Sequence, residues 1–290
     1  MSHGVLVVTG AAGMLGRRVA ADAKVAGWEV LGLDIRESDL VVDLTDAAAT
    51  TAALRDAGAD AVIHCAAWVD VDAAEAQEDA ALRINGLASE NIARACKEVG
   101  ARLVAVSTDY VFDGTLTGRP YVESDVTAPI GAYGRTKRAG EVAIAEHTDD
   151  YVIARTAWLF GWPGKSFPDT MLRAGATRDE VAVVTDQVGS PTWTGHLSPA
   201  LVELAGGTVT GIAHTTGSGQ VSWHGLTVEL YEQSGLTTTV NETDSSAFVR
   251  PAPRPAWSVL ETERAAEGVP VLPDWREGVA GYLAERGTGE

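Results

Sequence analysis

The chain has 290 residues, 46% of them hydrophobic, and a formal net charge of −18. That length holds one large domain or two modest ones with a sizeable core. The charge argues against nucleic acid or an anionic membrane surface as a partner, because a phosphate polymer would be repelled. No apolar run reaches the roughly 20 residues of a bilayer-crossing helix, and the N-terminus shows no basic region or small-residue cleavage site. With Cys65 and Cys96 isolated in different patterns, the expectation is a reduced, cytoplasmic protein.

In chain order, short β-branched runs at Val5–Thr9, Glu29–Leu33, Ala61–His64, Leu103–Ser107 and Tyr151–Arg155 predict buried parallel strands. Between them, Leu15–Ala26, Ala47–Ala57, Ala74–Val99 and Ala132–Ala145 have helical periodicity. Strands alternating with helices imply right-handed crossovers and an α/β fold with a Rossmann-like, doubly wound parallel sheet. After about Trp158 the pattern loosens into Gly- and Pro-rich stretches at Gly161–Pro168, Asp186–Pro191 and Arg250–Pro255, with short helices at Leu197–Leu204 and Trp223–Tyr231. The expected organisation is a dinucleotide-binding domain over residues 1–157 and a smaller, mixed α/β substrate domain over 158–290. A strand near 211–216 is expected to return to the first domain.

The first strand runs into GAAGMLG, with Gly10, Gly13 and Gly16, and then into a helix opened by Met14 and Leu15. Such glycines allow a tight turn, close approach to a pyrophosphate and close helix–strand contact. The helix N-terminus adds N–H groups and a positive dipole end, which lets an acidic protein hold an anionic cofactor. Asp34 ends the second strand, where a carboxylate accepts hydrogen bonds from ribose hydroxyls and repels a 2′-phosphate. Arg36, just beyond Ile35, offers the opposite preference, so NADH and NADPH both stay open. Asp43 and Leu44 are placed near the adenine, and the small residues of Cys65, Ala66 and Ala67 follow the next cofactor-facing strand.

Tyr133 and Lys137, in YGRTK, stand four apart and share one helix face. Reduction of a ketone needs a proton at oxygen as hydride reaches carbon. A phenol with an ordinary pKa near ~10 gives that proton more readily beside a cation. Lys137 is expected to supply that field and to hold the nicotinamide ribose. Thr108, just past the strand Leu103–Ser107, is the expected third member, orienting the carbonyl; Ser107 is the second choice.

These residues sit in a wider pattern: AAWVDVDAAE (66–75), STDYVFDG (107–114), YGRTKRAGE (133–141), RTAWLFG (155–161), VTDQVGSPTW (184–193), WHG (223–225) and RPAWSVL (254–260). Together with GAAGMLG they resemble the dTDP-4-dehydrorhamnose reductase family of extended short-chain dehydrogenase/reductases, over nearly the whole chain. The resemblance implies NAD(P)H-dependent reduction of the C4 ketone of dTDP-4-dehydro-β-L-rhamnose. Tyr133 would be the acid, Lys137 its electrostatic partner and Thr108 the carbonyl ligand. It also implies sugar contacts at Val69, Val71, Tyr110 and Trp158. Gln187, Gly189, Pro191 and Thr192 match the loop toward the nucleotide, and Arg254 a phosphate partner. Some members are described as using Mg²⁺ bridged by glutamates at a dimer interface. Arg17 and Arg18 stand where the first such glutamate falls, which argues against that metal here and leaves monomer or homodimer open. His64 stands where an asparagine is common.

Three alternatives follow from the same motifs: a reductase of another dTDP-4-keto-6-deoxyhexose, a nucleotide-sugar epimerase, and a non-catalytic subunit like the one that accompanies methionine adenosyltransferase. The six histidines, His3 among them, show no ligand spacing, so no metal site is expected. Asp70, Asp72 and Glu75 read as a helix start.

Overall fold

The structure, a computed structural model, describes residues 4–287; His3 lies outside them. The first half forms β1 (Val5–Thr9), α1 (Met14–Val25), β2 (Glu29–Asp34), β3 (Leu40–Val41), α2 (Ala47–Ala57) and β4 (Ala61–His64). It continues through α3 (Val71–Ala76), α4 (Glu78–Leu82), α5 (Ala88–Val99), β5 (Arg102–Thr108), α6 (Ala132–His147) and β6 (Tyr151–Thr156). Side chains alternate across each strand. On β1, Leu6 and Val8 join one core with α1, while Val7 joins a second with Leu54 of α2, Ile92 of α5 and Ile144 of α6. Both sheet faces are covered, which is why these strands read as nearly continuous apolar runs.

One expected helix, Ala74–Val99, is not continuous. The Asp70 carboxylate caps α3 by accepting from Ala73 N at 2.9 Å, the chain breaks at Gln77 (φ −137°, ψ 45°), and Arg83–Leu87 forms a π-turn before α5. Asn85, inside that turn, hydrogen-bonds both Trp68 N (2.8 Å) and Trp68 O (3.2 Å). Periodicity cannot reveal the π-turn, because Asn85 inside it is held by another segment.

The stretches expected to be irregular hold short elements: β7 (Leu159–Phe160), α7 (Phe167–Gly175), β8 (Glu180–Val184), β9 (Val188–Gly189), β10 (Thr192–Trp193) and α8 (Thr194–Gly206). After these come β11 (Gly211–His214), β12 (Val221–Ser222), α9 (Trp223–Ser234), β13 (Thr239–Thr243) and α10 (Trp275–Gly287). β11 pairs in parallel with β6, giving the order β3-β2-β1-β4-β5-β6-β11. α8 packs on the sheet face that carries α1. A separate core joins α7, α9 and α10 through Leu172, Leu226 and Val279. Among the described residues no helix is long and apolar enough to cross a membrane.

Candidate active site

Strand order reverses between β1 and β4, so the connections leaving their C-terminal ends diverge and open a crevice. Gly10 takes φ +65°, and Gly13 N donates to its carbonyl at 2.9 Å. A Cβ on Gly16 would stand 2.1 Å from Gly10 O, so only glycine lets α1 press this closely on the turn. Met14 and Leu15 open α1, whose cap Gly13 makes no side-chain hydrogen bond. Asp34 accepts from Ala12 N (3.0 Å) and Ile35 N (2.8 Å), which aims its carboxylate across the turn. Asp34, Ile35, Asp43, Leu44 and Ala66 line one cleft of about 70 Å³. Arg36 is exposed beside it. Cys65 and Ala67 flank Ala66, whose N–H donates to Thr9 Oγ1 at 3.3 Å. Burial pushes the Cys65 thiol up to about 12, so it stays protonated. A turn of glycines, a downstream acid and an apolar cleft fit a dinucleotide.

The bridged metal does not fit. Arg17 spans Ala12 O (2.7 Å) and Pro163 O (3.0 Å), and Arg18 pairs with Asp22 and Glu285. Two guanidinium groups stand where the resemblance puts a carboxylate ligand.

At the end of β5, Tyr133 and Lys137 share one face of α6 beside Thr108. A Cβ on Gly134 would lie 2.1 Å from Tyr110 O, so this glycine lets the helix seat Tyr133 against the 108–111 turn. Burial pushes the Tyr133 phenol up to about 12; the Thr108 hydroxyl pulls it down and Asp109 pushes it up. The group that eases the phenol in this arrangement is therefore Thr108. Lys137 donates from Nζ to Val106 O at 2.8 Å. Its ammonium is pulled down to about 8, chiefly by burial, with Glu141 and Cys65 opposing. Ser107 is turned away, donating to Glu141 Oε1 at 2.6 Å. The structure therefore brings Thr108, and not Ser107, to Tyr133. Asp109, unnoticed in the sequence, accepts from Thr108 Oγ1 at 3.0 Å, and burial raises its carboxyl to about 6.

Beyond Tyr133 opens a cavity of about 630 Å³. Tyr110, Gln187 and Arg254 line it as expected, joined by Trp223, Met171 and Arg250, which spacing alone did not single out. Tyr110 meets Tyr133 edge to face, with ring centroids 5.5 Å apart, linking cavity and proton donor. Trp158 adopts φ +47°, in the left-handed region that bulky residues avoid. Its indole stacks on Trp223 with centroids 3.4 Å apart and planes 3° apart. Gly189 lies under Trp158. Gln187 accepts from Trp223 Nε1 (3.1 Å) and donates to Ser245 Oγ (2.8 Å). Arg254 pairs with Asp72 at 3.0 Å and Arg250 with the same carboxylate at 3.4 Å. Val69, Val71, Trp158, Gly189, Pro191 and Thr192 are absent from the cavity lining, which Trp158 borders only through its stack on Trp223. Val69 faces solvent at 71% exposure, and Thr192 is buried with its hydroxyl donating to Ser190 O.

The family model described as RmlD substrate binding domain matches residues 4–287. The dTDP-4-dehydrorhamnose reductase of Mycobacterium tuberculosis is 42% identical over 96% of this chain and 92% of its own. The chain belongs to the dTDP-4-dehydrorhamnose reductase family. The crystal structure of a dTDP-4-dehydrorhamnose reductase from Bacillus anthracis, in complex with NADP, superposes with a TM-score of 0.93 at 32% identity, covering 98% of this chain and all of that one. A Streptomyces niveus relative named dTDP-4-keto-6-deoxy-D-glucose reductase is 44% identical over 76% of this chain and 75% of its own. The dTDP-4-dehydrorhamnose reductase family thus accounts for the whole described chain, including the cavity-forming second half.

Proposed function

We propose that the chain is an NAD(P)H-dependent reductase that converts the C4 ketone of dTDP-4-dehydro-β-L-rhamnose into the alcohol of dTDP-L-rhamnose. The observation that carries this reading is that Tyr133 and Lys137, on one face of α6, both reach the end of β5, at Thr108 and at Val106 O, with Tyr133 joined through Tyr110 to the large cavity. The reduced nicotinamide, when bound, supplies the hydride. Thr108 orients the ketone oxygen by turning its hydroxyl proton from Asp109 to that oxygen, and Tyr133 delivers the phenolic proton to it. Lys137, fixed by Val106 O, provides a positive charge along the same helix face. Arg254 and Arg250 meet the diphosphate, and the Trp158–Trp223 stack offers an apolar plane to the sugar.

The cofactor would lie over the Gly10–Gly16 turn, with Asp34 at the adenosine ribose and Asp43 and Leu44 at the adenine. Residues 1–157 with β11 would form the cofactor domain, and the remainder from 158 the substrate domain. Cys65 and Cys96, both free in the cofactor half, suit the reducing cytoplasm.

The Streptomyces niveus relative favours a second reading, in which another dTDP-4-keto-6-deoxyhexose is the substrate. Purified protein is mixed with NADPH or NADH and each keto sugar in turn. The expected result is a stoichiometric fall in reduced-nicotinamide absorbance, fastest with dTDP-4-dehydrorhamnose. No fall with any of them sinks the reductase reading; a faster fall with the other sugar selects the second.

A further inference from the structure

Glu141 lies one helical turn beyond Lys137 on α6, with a side chain only 2% exposed. A buried carboxylate keeps its charge only where donors replace the lost water, and Glu141 has four. Ser107 Oγ donates at 2.6 Å, Arg155 Nε at 2.9 Å, Arg155 Nη2 at 2.8 Å and Arg138 Nη1 at 3.3 Å. Ser107 stands between Val106, whose carbonyl takes the Lys137 ammonium, and Thr108, whose hydroxyl meets Tyr133. Arg155 is itself 1% exposed and lies over the Phe112 ring at 5.2 Å. One carboxylate therefore ties α6, β5 and β6 together directly behind the reacting groups.

We infer that Glu141 is a positioning residue for the reduction: it clamps Ser107 so that Val106 O and Thr108 stay aligned, and it sets a fixed negative charge behind Lys137. The inference rests on the assignment of Tyr133 and Lys137 to proton delivery. Other ionisable groups around Lys137 do not take this part. On the β4 side, burial keeps the Cys65 thiol protonated and holds the His64 imidazole down at about 3, so both are neutral near pH 7. On α6, Arg138 is bound to Glu141 and Tyr133 is a neutral phenol. On β6, Arg155 is neutralised by Glu141, and Asp109 beyond β5 acts on Tyr133. With the Cys65 thiol protonated, Glu141 is left as the larger of the two groups that oppose burial at Lys137 and the one that is charged near pH 7.

The sign follows. The Lys137 ammonium is present below about 8 and lost as pH rises through that value. Without the Glu141 charge, burial acts unopposed and the loss moves to lower pH. The test is kcat/KM against pH for the wild type, Glu141→Gln and Glu141→Asp. Wild-type activity is expected to fall above about pH 8, and in Glu141→Gln that alkaline limb should move down by about one pH unit. Since Glu141→Gln strands the Arg155 cation, which itself pushes the ammonium down, the double variant Glu141→Gln/Arg155→Met is measured beside it, with circular dichroism to check folding, and a smaller displacement in the same direction is expected. Glu141→Asp keeps the charge but shortens the reach to Ser107, so its limb stays in place while kcat falls by about tenfold. An unmoved limb in either folded glutamine variant overturns the inference, as does an unchanged kcat in Glu141→Asp. An inactive wild type instead overturns the assignment of the reaction.

Discussion

At the end of β5, the Val106 carbonyl and the Ser107 and Thr108 hydroxyls are each bonded to a buried partner. Across the crevice, the 248–254 segment is held quite differently. Val249 is 95% exposed, and Arg250 and Arg254 converge on one partly exposed carboxylate, Asp72. Buried, multiply bonded groups are fixed before substrate arrives, which is what charge stabilisation in a transition state requires. Ion pairs near solvent are weak, so the arginines can exchange Asp72 for a diphosphate at little cost. One wall is therefore built for chemistry and the other for capture, and substitutions should separate the two.

The largest effect is expected from Tyr133→Phe, which removes the proton donor and leaves the packing of the ring. Turnover should fall by roughly 10²–10⁴-fold, with KM for the dTDP-sugar and cofactor affinity by fluorescence titration nearly unchanged. Retained turnover would erase the contrast between the walls. Arg254→Ala should do the reverse. Loss of a charged hydrogen bond worth about 1.5–3 kcal/mol raises KM by about 10–100-fold while kcat holds. A drop confined to kcat would place Arg254 with the chemistry.

The same contrast explains what could be read from sequence. β1, β4, β5 and β6 were legible because a parallel strand buried on both faces must be apolar throughout, and Gly10–Gly16, Tyr133 and Lys137 lie within single elements at fixed spacing. Ser107 and Thr108 could not be separated by spacing, since adjacent hydroxyls at a strand end look alike until Glu141 claims one of them. The capture wall is assembled from distant segments. Nothing local to Asp72 shows that it meets Arg250 and Arg254, or local to Trp158, just before β7, that it stacks on Trp223, at the start of α9. Val69 and Thr192 were expected at the sugar and nucleotide from resemblance; one is left in solvent and the other in the core.

A smaller effect is expected at the cofactor cleft. Asp34→Ala removes both the acceptor for ribose hydroxyls and the charge facing a 2′-phosphate. The ratio of kcat/KM with NADPH to that with NADH should rise by about tenfold, one charged hydrogen bond's worth. An unchanged ratio would mean that Asp34 serves the turn through Ala12 N and Ile35 N alone.

The smallest effect at neutral pH is expected from His64→Asn, and it tests how far the fixed wall extends. Ser89 Oγ donates to Asn85 O at 2.7 Å, so it can only accept from His64 Nε2, 3.3 Å away. Nδ1 then accepts from Thr9 Oγ1 at 2.7 Å. The neutral ring thereby links the strand before the glycine turn to the π-turn that carries Asn85, and Asn85 in turn donates to Thr136 on α6 at 3.1 Å. Asparagine is too short for both bonds, so the variant should be about 1 kcal/mol less stable at pH 7. Acid reverses the order. Burial holds folded His64 down at about 3, so below its unfolded value of about 6.5 the unfolded chain binds more protons. The wild type should lose about 2 kcal/mol from this group between pH 7 and pH 5, a loss His64→Asn escapes. Urea midpoints at the two pH values should therefore cross. Parallel midpoints would show that His64 carries its proton in the folded chain, and the buried network would then hold a charge where this geometry allows only a neutral ring.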